Sequence, residues 1–495
     1  MNHSSVQRLA WSLSLGTGLI YLAFLPPGVY SVDGNSMLAV AESIVTRHDL
    51  TVPIGLGIPG RDRQIYSTWY PLQSLLSVPV VMTASVVSRF LGVPLHFVAA
   101  ALAGVLPALF TAVTVAVVAL ISLQVGSTLQ GARRSALCFA GGTIALAYAR
   151  TFYAEPLLSL LVAAGIYLVL VRSNRTILLA ALLAVFAVLA KPTGIFLGPA
   201  LAVYLLLKKS PTRFALTPAA GAGLGIFLYA LYNLLRFENP LNFGPPWVFS
   251  LSALPMGLAG LLFSSGRGLL WYSPAVLLAI WGFRQAAKTK LLEALLITAL
   301  FLAFLGLHSA VPYWHGGWSW GPRYLLPVLP GLMALTGLLE GRAAKGLLTL
   351  SFLGFLINAP TLVSYYERYY AESNERGISD SELYWSPARA PLLHAWGAAS
   401  REITDARGQD VRELFSQRSI PSRTIASSRA LRVVAVWWWV LPIVHIPRSV
   451  GFACSIAMVI WGCWVLFSVR LSPPQIDRQG PRDLQPGNSC PPRSS

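Results

Sequence analysis

Apolar windows of about 16 to 28 residues recur along nearly the whole chain, and this pattern restricts the fold more than any other feature. A helix needs roughly 20 apolar residues to cross the hydrocarbon core of a bilayer, so most windows are long enough to be membrane spans. The composition agrees, because 55% of the 495 residues are hydrophobic, 11% are charged and the mean hydropathy is +0.61. The sequence therefore predicts an all-α membrane protein, a polytopic helical bundle of about 11 to 13 transmembrane helices.

The strong positive charge of the chain has a topological explanation. Its net charge is +18 and its pI is near 10.1, but the basic residues are spread over many loops. A nucleic-acid-binding protein gathers them into one patch or stripe. We therefore expect membrane lipids around the chain and no nucleic-acid partner.

Five short basic loops between apolar runs set the predicted sidedness. They are residues 131–135, 172–175, 208–213, 284–290 and 340–345. Short loops rich in Lys and Arg stay on the cytoplasmic side, so the connections between them are expected outside. The outer segments are then residues 27–92, 150–155, 190–194, 236–268, 310–323 and 365–430.

This topology gives thirteen predicted spans, at about 9–25, 94–123, 135–152, 156–171, 176–190, 194–207, 214–233, 269–283, 291–310, 324–339, 346–364, 432–447 and 450–468. The run at 70–90 is also long enough to cross, but counting it as a span would put Arg133 and Arg134 outside. A juxtamembrane helix on the outer face is therefore preferred there. The tryptophan-rich run at 432–447 could instead lie at the interface, which leaves the side of the tail open.

The chain divides into four predicted regions. Residues 1–364 form a transmembrane core, whose first outer loop, 27–92, carries the juxtamembrane helices. Residues 365–430 form an outer-side soluble loop or small domain, and residues 431–468 a C-terminal transmembrane hairpin. The polar, proline-rich tail at 469–495 is expected to be disordered.

Charged residues collect on the predicted outer face. The stretch "ALAYARTFYAEPLL" places Arg150 and Glu155 between two membrane runs. Charges at span ends are costly unless they are paired or wetted, so a concentration on one side indicates a cavity. The same face holds Asp33, Glu42, Lys191, Arg236, Glu238, Arg267 and Arg323.

Each of these charges alone has an ordinary structural explanation. Lys191 and Arg323 stand at helix ends, where basic side chains extend toward headgroups. Glu155 before a proline suits a helix N-terminus, and Asp33 before a glycine suits a turn. Their joint occurrence favours a functional site, because acids supply a base or a metal ligand, basic residues hold an anion and aromatic residues stack on sugars.

Several segments in a fixed order carry a family resemblance. An acid in "SVDGNSMLAVAESI" is followed by "YSTWYPLQSLL" and "YARTFYAEPL". Downstream lie "LAKPTGI", "YNLLRFENPLNFG", "LLFSSGRGLLWYSP" and "WHGGWSWGPRYLLPVLP". Over roughly residues 8–365 the chain resembles the integral-membrane GT-C glycosyltransferases, in particular bacterial protein O-mannosyltransferases (glycosyltransferase family 39) and relatives of the lipid A aminoarabinose transferase. The resemblance makes residues 1–364 a GT-C-like catalytic core.

The resemblance implies a membrane glycosyltransferase. It implies transfer of a sugar from a polyprenyl-phosphate donor to a lipid, glycan or protein acceptor, usually with inversion. It also implies a multi-pass protein of the bacterial inner membrane with its active site on the periplasmic, outer side. No cofactor is required, although a divalent metal ion stays open.

The resemblance and the chemistry together give candidate roles. An acceptor hydroxyl needs a carboxylate base, for which Asp33 is chosen, and a leaving phosphate needs fixed cations. Glu155 is the second catalytic candidate: it could orient the acceptor, position an arginine or ligate a metal ion. The donor-phosphate candidates, in decreasing order, are Arg267, Arg323, Lys191 and Arg150, and the substrate-binding candidates are Tyr66, Tyr70, Trp314, His315, Trp318 and Glu238.

Two positions depart from the family pattern, and two other function classes stay open. Gly34 stands where many members carry a second acid, and Trp69 and Tyr70 stand where a lysine often precedes the proline. A polytopic lipid or solute transporter is one alternative, although the middles of the spans carry almost no charge and the two halves show no repeat. A non-catalytic, degenerate GT-C protein is the other.

Overall fold

A computed structural model describes residues 3–242, 248–406 and 434–468 of the chain. Its described secondary structure is helical except for one short antiparallel hairpin, in which β1 (Ile58–Pro59) pairs with β2 (Ile65–Tyr66). The predicted all-α class is therefore confirmed. The tail at 469–495, predicted to be disordered, lies outside the described residues.

Short connecting segments join most of the α-helices. They are α1 His3–Ala23, α2 Val32–Thr46, α3 Pro71–Leu91, α4 Leu95–Ala103, α5 Val105–Gln124, α6 Leu129–Gly142, α7 Ala145–Tyr148, α8 Ala154–Val171, α9 Asn174–Ala190, α10 Leu197–Leu207, α11 Thr212–Ala215, α12 Thr217–Phe237, α13 Leu254–Phe263, α14 Leu269–Tyr272, α15 Ala279–Ala287, α16 Leu291–Ser309, α17 Leu329–Leu335, α18 Gly341–Asn358, α19 Tyr366–Glu375, α20 Asp380–Trp385, α21 Pro391–Ala406 and α22 Arg448–Ser468. Short 3-10 helices lie at Arg61–Arg63, Pro192–Phe196, Leu251–Ala253, Pro274–Leu278, Arg323–Val328, Thr336–Leu338, Ala359–Leu362, Pro387–Arg389 and Trp437–Val444.

Seven helical stretches in the described part of the chain are long and apolar enough to cross a membrane. They are Pro71–Leu91, Leu95–Gln124, Ala154–Val171, Thr212–Phe237, Leu291–Ser309, Gly341–Leu362 and Arg448–Ser468, and four shorter apolar helices accompany them at Asn174–Ala190, Pro192–Leu207, Leu251–Phe263 and Arg323–Leu338. The chain is a multi-pass membrane protein, as predicted. Pro71–Leu91 has the length of a span, so its placement along the outer face stays a prediction.

Prolines interrupt the α-helical structure of several predicted spans. The run at 269–283 divides into α14, a 3-10 turn that begins at Pro274, and α15, because proline lacks the amide N–H that a continuous helix needs. The described part of the run at 432–447 is residues 434–447, and its only helix is the 3-10 helix Trp437–Val444, which contains Pro442. At about 2 Å of rise per residue this helix is far shorter than a bilayer core. Only α22 of the predicted C-terminal hairpin is therefore a span-length helix among the described residues.

Several of the short basic loops lie against neighbouring chain segments. Arg134 donates to the carbonyl oxygen of Leu339, and Arg172 Nη2 lies 3.3 Å from that of Lys208. Lys208 Nζ in turn lies 2.8 Å from Glu293 Oε1 at the start of α16. Each contact involves at least one loop that was predicted to be cytoplasmic, and the sidedness itself stays a prediction.

The segment predicted as an outer loop or small domain packs directly on the bundle through residue 406. Gly266 N donates to Tyr384 O at 2.9 Å, and Tyr370 Oη donates to Ser319 O at 3.0 Å. On α21, Trp396 Nε1 donates to Leu356 O at 3.0 Å. Helices α19 to α21 therefore form a fixed wall of the molecule. The remainder of that predicted region, 407–430, lies outside the described residues.

Gly34 allows the start of α2 to lie directly against the chain that leads into α8. A Cβ atom at Gly34 would lie 2.5 Å from the carbonyl oxygen of Phe152 and 2.7 Å from Val29 Cγ1. Real Cβ atoms do not approach a backbone oxygen so closely, so only glycine fits without movement of one segment. The second acid of the family pattern has no room here.

We expect Gly34→Ala to destabilise the protein, because the added methyl group must push α2 away from Phe152. Overpacking of this kind costs about 1–3 kcal/mol, which lowers the thermal unfolding midpoint in detergent by a few degrees. Gly223→Ala in α12 is the matched control, because no heavy atom lies within 4 Å of its added Cβ. Equal midpoints for the two variants would contradict the described packing.

Candidate active site

A cavity of about 660 Å³ lies where the predicted outer segments meet. Residues from α2, the start of α8, the end of α9, the loop before Arg323, and helices α19 and α20 line it. Its charged lining residues are Asp33, Glu155, Lys191, Arg323, Glu367 and Asp380, and its aromatic ones are Tyr30, Trp69, Tyr70, Tyr153, Tyr313, Trp318 and Tyr324. Predicted segments that are far apart in sequence therefore share one pocket.

Two carboxylates and two cations form a connected cluster in this pocket, which we call the ion cluster: Asp33, Arg323, Glu155 and Lys191. Arg323 Nη1 lies 2.9 Å from Asp33 Oδ2, and Arg323 Nε lies 3.8 Å from Glu155 Oε1. Lys191 Nζ lies 2.6 Å from the same Glu155 oxygen. The side chains of Glu155, Lys191 and Arg323 are 3–6% exposed, whereas that of Asp33 is 18% exposed. Asp33 is thus the member most open to a ligand.

Local sequence places the two acids at the N-termini of helices. Ser31 caps α2 by accepting a hydrogen bond from Gly34 N at 3.1 Å, which leaves Asp33 in the first turn. Glu155 stands in the first turn of α8, and Pro156 follows it. Proline is tolerated there because the first amide groups of a helix have no carbonyl partner within the helix. The partial positive charge of a helix N-terminus favours an ionised acid at each site.

Breaks in helical structure place the two cations. Lys191 follows the last residue of α9 in an extended conformation, and Pro192 then begins a 3-10 helix. At this break between helices the lysine side chain lines the pocket. Arg323 follows a loop in which Gly316, with φ of 71°, packs against its guanidinium. A Cβ atom at Gly316 would lie 2.9 Å from Arg323 Nε, so glycine there makes room for the arginine.

Two tyrosine rings hold the cations in place. Lys191 Nζ lies 4.4 Å and Arg323 Cζ 5.2 Å from the ring centroid of Tyr324. Arg323 Cζ also lies 4.7 Å from the ring centroid of Tyr153. Aromatic faces attract cations at these distances, and they stabilise each charge without removing its hydrogen-bond donors.

Burial raises the pKa of Asp33, and the neighbouring guanidinium of Arg323 offsets part of that rise. Glu155 raises it further through like-charge repulsion, whereas Lys191 lowers it. The Asp33 carboxylate is therefore more basic than an ordinary aspartate.

The structure brings six of the twelve predicted site residues to the pocket. They are Asp33, Glu155, Lys191, Arg323, Tyr70 and Trp318. The first four form the ion cluster, and Tyr70 and Trp318 belong to its aromatic wall. Of the cations that Glu155 was expected to position, the structure places Lys191 and Arg323 beside it, whereas Arg150 contacts other segments.

Arg267 and Arg150 do not reach the pocket in this structure, although the sequence predicted that they bind phosphate. Arg267 is fully buried, and its guanidinium donates to Tyr370 and to the carbonyl oxygens of residues 266, 315 and 317. Arg150 donates to the carbonyl oxygens of Phe24, Thr361 and Ala435. Each arginine joins chain segments: Arg150 uses three and Arg267 four of its five N–H donors on these contacts, which leaves few for a phosphate.

Four other predicted residues lie beyond the pocket wall. The Tyr66 ring packs near Phe237, and Glu238 is 68% exposed beside Arg61. Trp314 is buried, and the His315 ring stacks on Tyr384 with centroids 4.5 Å apart. Burial and nearby arginines lower the pKa of His315 to about 3, so the ring is neutral.

Four residues that line the pocket were not predicted from the sequence: Tyr153, Tyr324, Glu367 and Asp380. The two tyrosines lie in the motifs that contain Glu155 and Arg323, so their position next to predicted site residues could have identified them. Glu367 and Asp380 lie beyond residue 365, where no motif was recognised. Only the chain's return to the pocket after α18 reveals them.

The pocket does not offer a ligand set for the divalent ion that the sequence left open. Among the described residues, no group of three or more His, Cys, Asp or Glu side chains lies close enough to hold a metal ion. The two acids of the ion cluster already face Arg323 and Lys191, whose positive charges would repel a divalent ion between them.

Comparisons with known proteins give matches among solved structures alone. No family model and no curated protein matches the chain. ArnT from Cupriavidus metallidurans in the apo state is similar at 15% identity and a TM-score of 0.49, with coverage of 90% of this chain and 75% of ArnT. ArnT bound to undecaprenyl phosphate gives 14% identity, 94% and 78% coverage, and a TM-score of 0.48.

The oligosaccharyltransferase from Archaeoglobus fulgidus in the apo form is a further match. It gives 11% identity and a TM-score of 0.46, with coverage of 86% of this chain and 56% of that protein. Similarity at this level carries nothing about substrate or mechanism, which must be argued from this chain's own residues.

The buried Glu155–Lys191 pair gives a stability prediction. Glu155→Gln or Lys191→Met alone leaves a buried charge with less compensation, which costs about 3 kcal/mol, whereas the double variant removes both charges and recovers most of the loss. Thermal unfolding in detergent measures all three. Glu238→Gln in the exposed Arg61–Glu238 pair is the control and should match wild type. Strictly additive losses in the double variant would contradict the pairing.

Proposed function

We propose that the protein is an inverting membrane glycosyltransferase that moves a sugar from a polyprenyl-phosphate donor to a lipid, glycan or protein acceptor. The observation that carries this proposal is the ion cluster at an aromatic-walled pocket in a multi-pass membrane protein. A general base, two fixed cations and flat rings are the groups that such a transfer requires. The proposed location is the bacterial inner membrane, with the pocket open to the outer side.

Asp33 is better suited than Glu155 to act as the base. One oxygen of Asp33 accepts from Arg323, and the other accepts no hydrogen bond from the described residues. Glu155 is more deeply buried and binds Lys191 through the same oxygen that faces Arg323. We assign Glu155 the role of holding both cations in position, which favours one of the three roles that the sequence left open.

The reaction balances with these groups. The acceptor oxygen forms a bond to the anomeric carbon while the bond from that carbon to the phosphate oxygen breaks. The acceptor proton passes to Asp33, and the electron pair of the broken bond leaves with the polyprenyl phosphate. Attack from the face opposite the phosphate inverts the anomeric configuration.

Lys191 and Arg323 supply the phosphate-binding charge in this proposal. Lys191 Nζ uses one of its three donors on Glu155, so two remain. Arg323 Nε is buried and donates no hydrogen bond within the described residues. An orphaned buried donor is costly, and a phosphate oxygen would satisfy it as negative charge develops on the leaving group.

Asp33→Asn tests the base directly. We expect transfer from polyprenyl-phosphate sugars to envelope extracts to fall by about 10²-fold or more, because the amide cannot accept the proton. Binding of undecaprenyl phosphate should stay within about threefold, because Lys191 and Arg323 remain. Asp62→Asn, at a side chain that is 80% exposed, is the control and should transfer like wild type. Full activity of the Asp33 variant would favour a transporter or a non-catalytic protein.

The pH dependence of transfer follows from the same carboxylate. A base must be ionised, so kcat/KM should fall as pH falls through the pKa of Asp33. Because burial raises that pKa, the acid limb should lie above the range of an ordinary aspartate. A pH profile of kcat/KM checks this. An acid limb in the ordinary aspartate range would contradict the assignment of Asp33 as the base.

A further inference from the structure

Glu367 is a pocket residue outside every motif of the membrane core. Glu367 stands in the first turn of α19 and is 6% exposed. It lines the main cavity together with Asp33, and it also lines a narrow cavity of about 20 Å³ beside Arg150. A nearly buried carboxyl therefore faces the space in which the proposed substrates would react.

No basic side chain of the described residues forms an ion pair with this carboxyl within 4.0 Å. Arg150 and Arg323 lower its pKa from a greater distance, and hydrogen bonds from its own backbone amide and from the Tyr366 side chain lower it as well. The cations of the ion cluster are already matched by Asp33 and Glu155. A buried carboxyl without a basic partner is stabilised by further hydrogen bonds, which a ligand or water in the cavity can supply.

The protonation state of Glu367 suits a hydroxyl ligand. Burial raises its pKa to about 7, with Tyr366, Arg150 and Arg323 opposing the rise. Tyr153 and Tyr30 also face it from the elements packed against α19. A carboxyl of that pKa both donates and accepts hydrogen bonds near neutral pH, as a sugar hydroxyl does, whereas its ionised form would repel a phosphate.

The position of Glu367 is fixed rather than adjustable. Tyr370, one turn further along α19, donates to Ser319 O at 3.0 Å and accepts from Arg267. The adjoining Tyr365 ring packs on Tyr30, with centroids 3.5 Å apart. Helix α19 is thus held on the pocket wall from both sides, which preorganises the carboxyl for a ligand.

We propose that Glu367 is a further substrate-binding residue, which hydrogen-bonds a hydroxyl group of the carbohydrate that enters between it and the ion cluster. This inference rests on the proposed function. The hydroxyl belongs either to the donor sugar or to the acceptor. In both cases Glu367 touches substrate, and it takes no part in the proton transfer assigned to Asp33.

The test compares Glu367→Ala with Glu367→Gln in the purified full chain. The probes are polyprenyl-phosphate hexoses as donors and an envelope glycolipid extract as acceptor. We expect Glu367→Ala to lower kcat/KM of transfer about tenfold, because the hydrogen bond is lost, and Glu367→Gln to stay within about threefold, because an amide also donates and accepts. Glu375→Ala, exposed at the other end of α19, should match wild type.

Two further measurements separate substrate binding from structure and donor from acceptor. Binding of undecaprenyl phosphate, which lacks the sugar, and the thermal unfolding midpoint should be unchanged in Glu367→Ala. Donor hydrolysis without acceptor should fall equally if the hydroxyl is the donor's, and stay unchanged if it is the acceptor's. Either result supports the inference.

Other outcomes would overturn it. Wild-type rates of transfer in Glu367→Ala, or a loss of undecaprenyl phosphate binding equal to the loss of transfer, would overturn this inference and leave the proposed function intact. A wild-type protein that neither transfers nor hydrolyses any donor would contradict the proposed function and this inference with it.

Discussion

Charge neutralisation among the largely buried side chains of the ion cluster is the constraint on which the rest of the structure depends. Four charged groups from four separate parts of the chain lie within 2.6–3.8 Å of their partners. An unpaired ion so deeply buried would cost several kcal/mol, so α2, α8, the end of α9 and the loop before Arg323 must meet with little freedom. Gly34 and Gly316 permit that meeting because they lack side chains where backbone or guanidinium atoms lie.

Much of the fold and the centre of the site could be predicted from the sequence. Apolar runs of span length predict helices because a bilayer leaves the backbone no other partner, and basic loops predict which ends meet. Asp33, Glu155, Lys191 and Arg323 were placed on one face by that argument, and the structure brings them into contact. Each stands where a helix begins or ends, which is where a membrane chain can carry a charge at low cost.

The rest could not be predicted, because a charge at a span end does not reveal its partner. Arg267 and Arg150 have the same sequence setting as Arg323, yet carbonyl oxygens from distant segments bind them. Every residue has a backbone carbonyl group, so the pattern of side chains in a sequence cannot show which carbonyls will bind an arginine. Glu367 reaches the pocket only because α19 packs back on the bundle through Tyr370 and Arg267. Contacts of that kind are set by tertiary packing.

An experimental structure with undecaprenyl phosphate would show whether the ion cluster receives the phosphate of a lipid-linked donor. We expect phosphate oxygens within hydrogen-bond distance of Lys191 Nζ and of the Arg323 guanidinium, with the Asp33 carboxylate free beside them. A phosphate bound away from both cations, or one that displaces Glu155 to reach Arg150 or Arg267, would contradict this expectation.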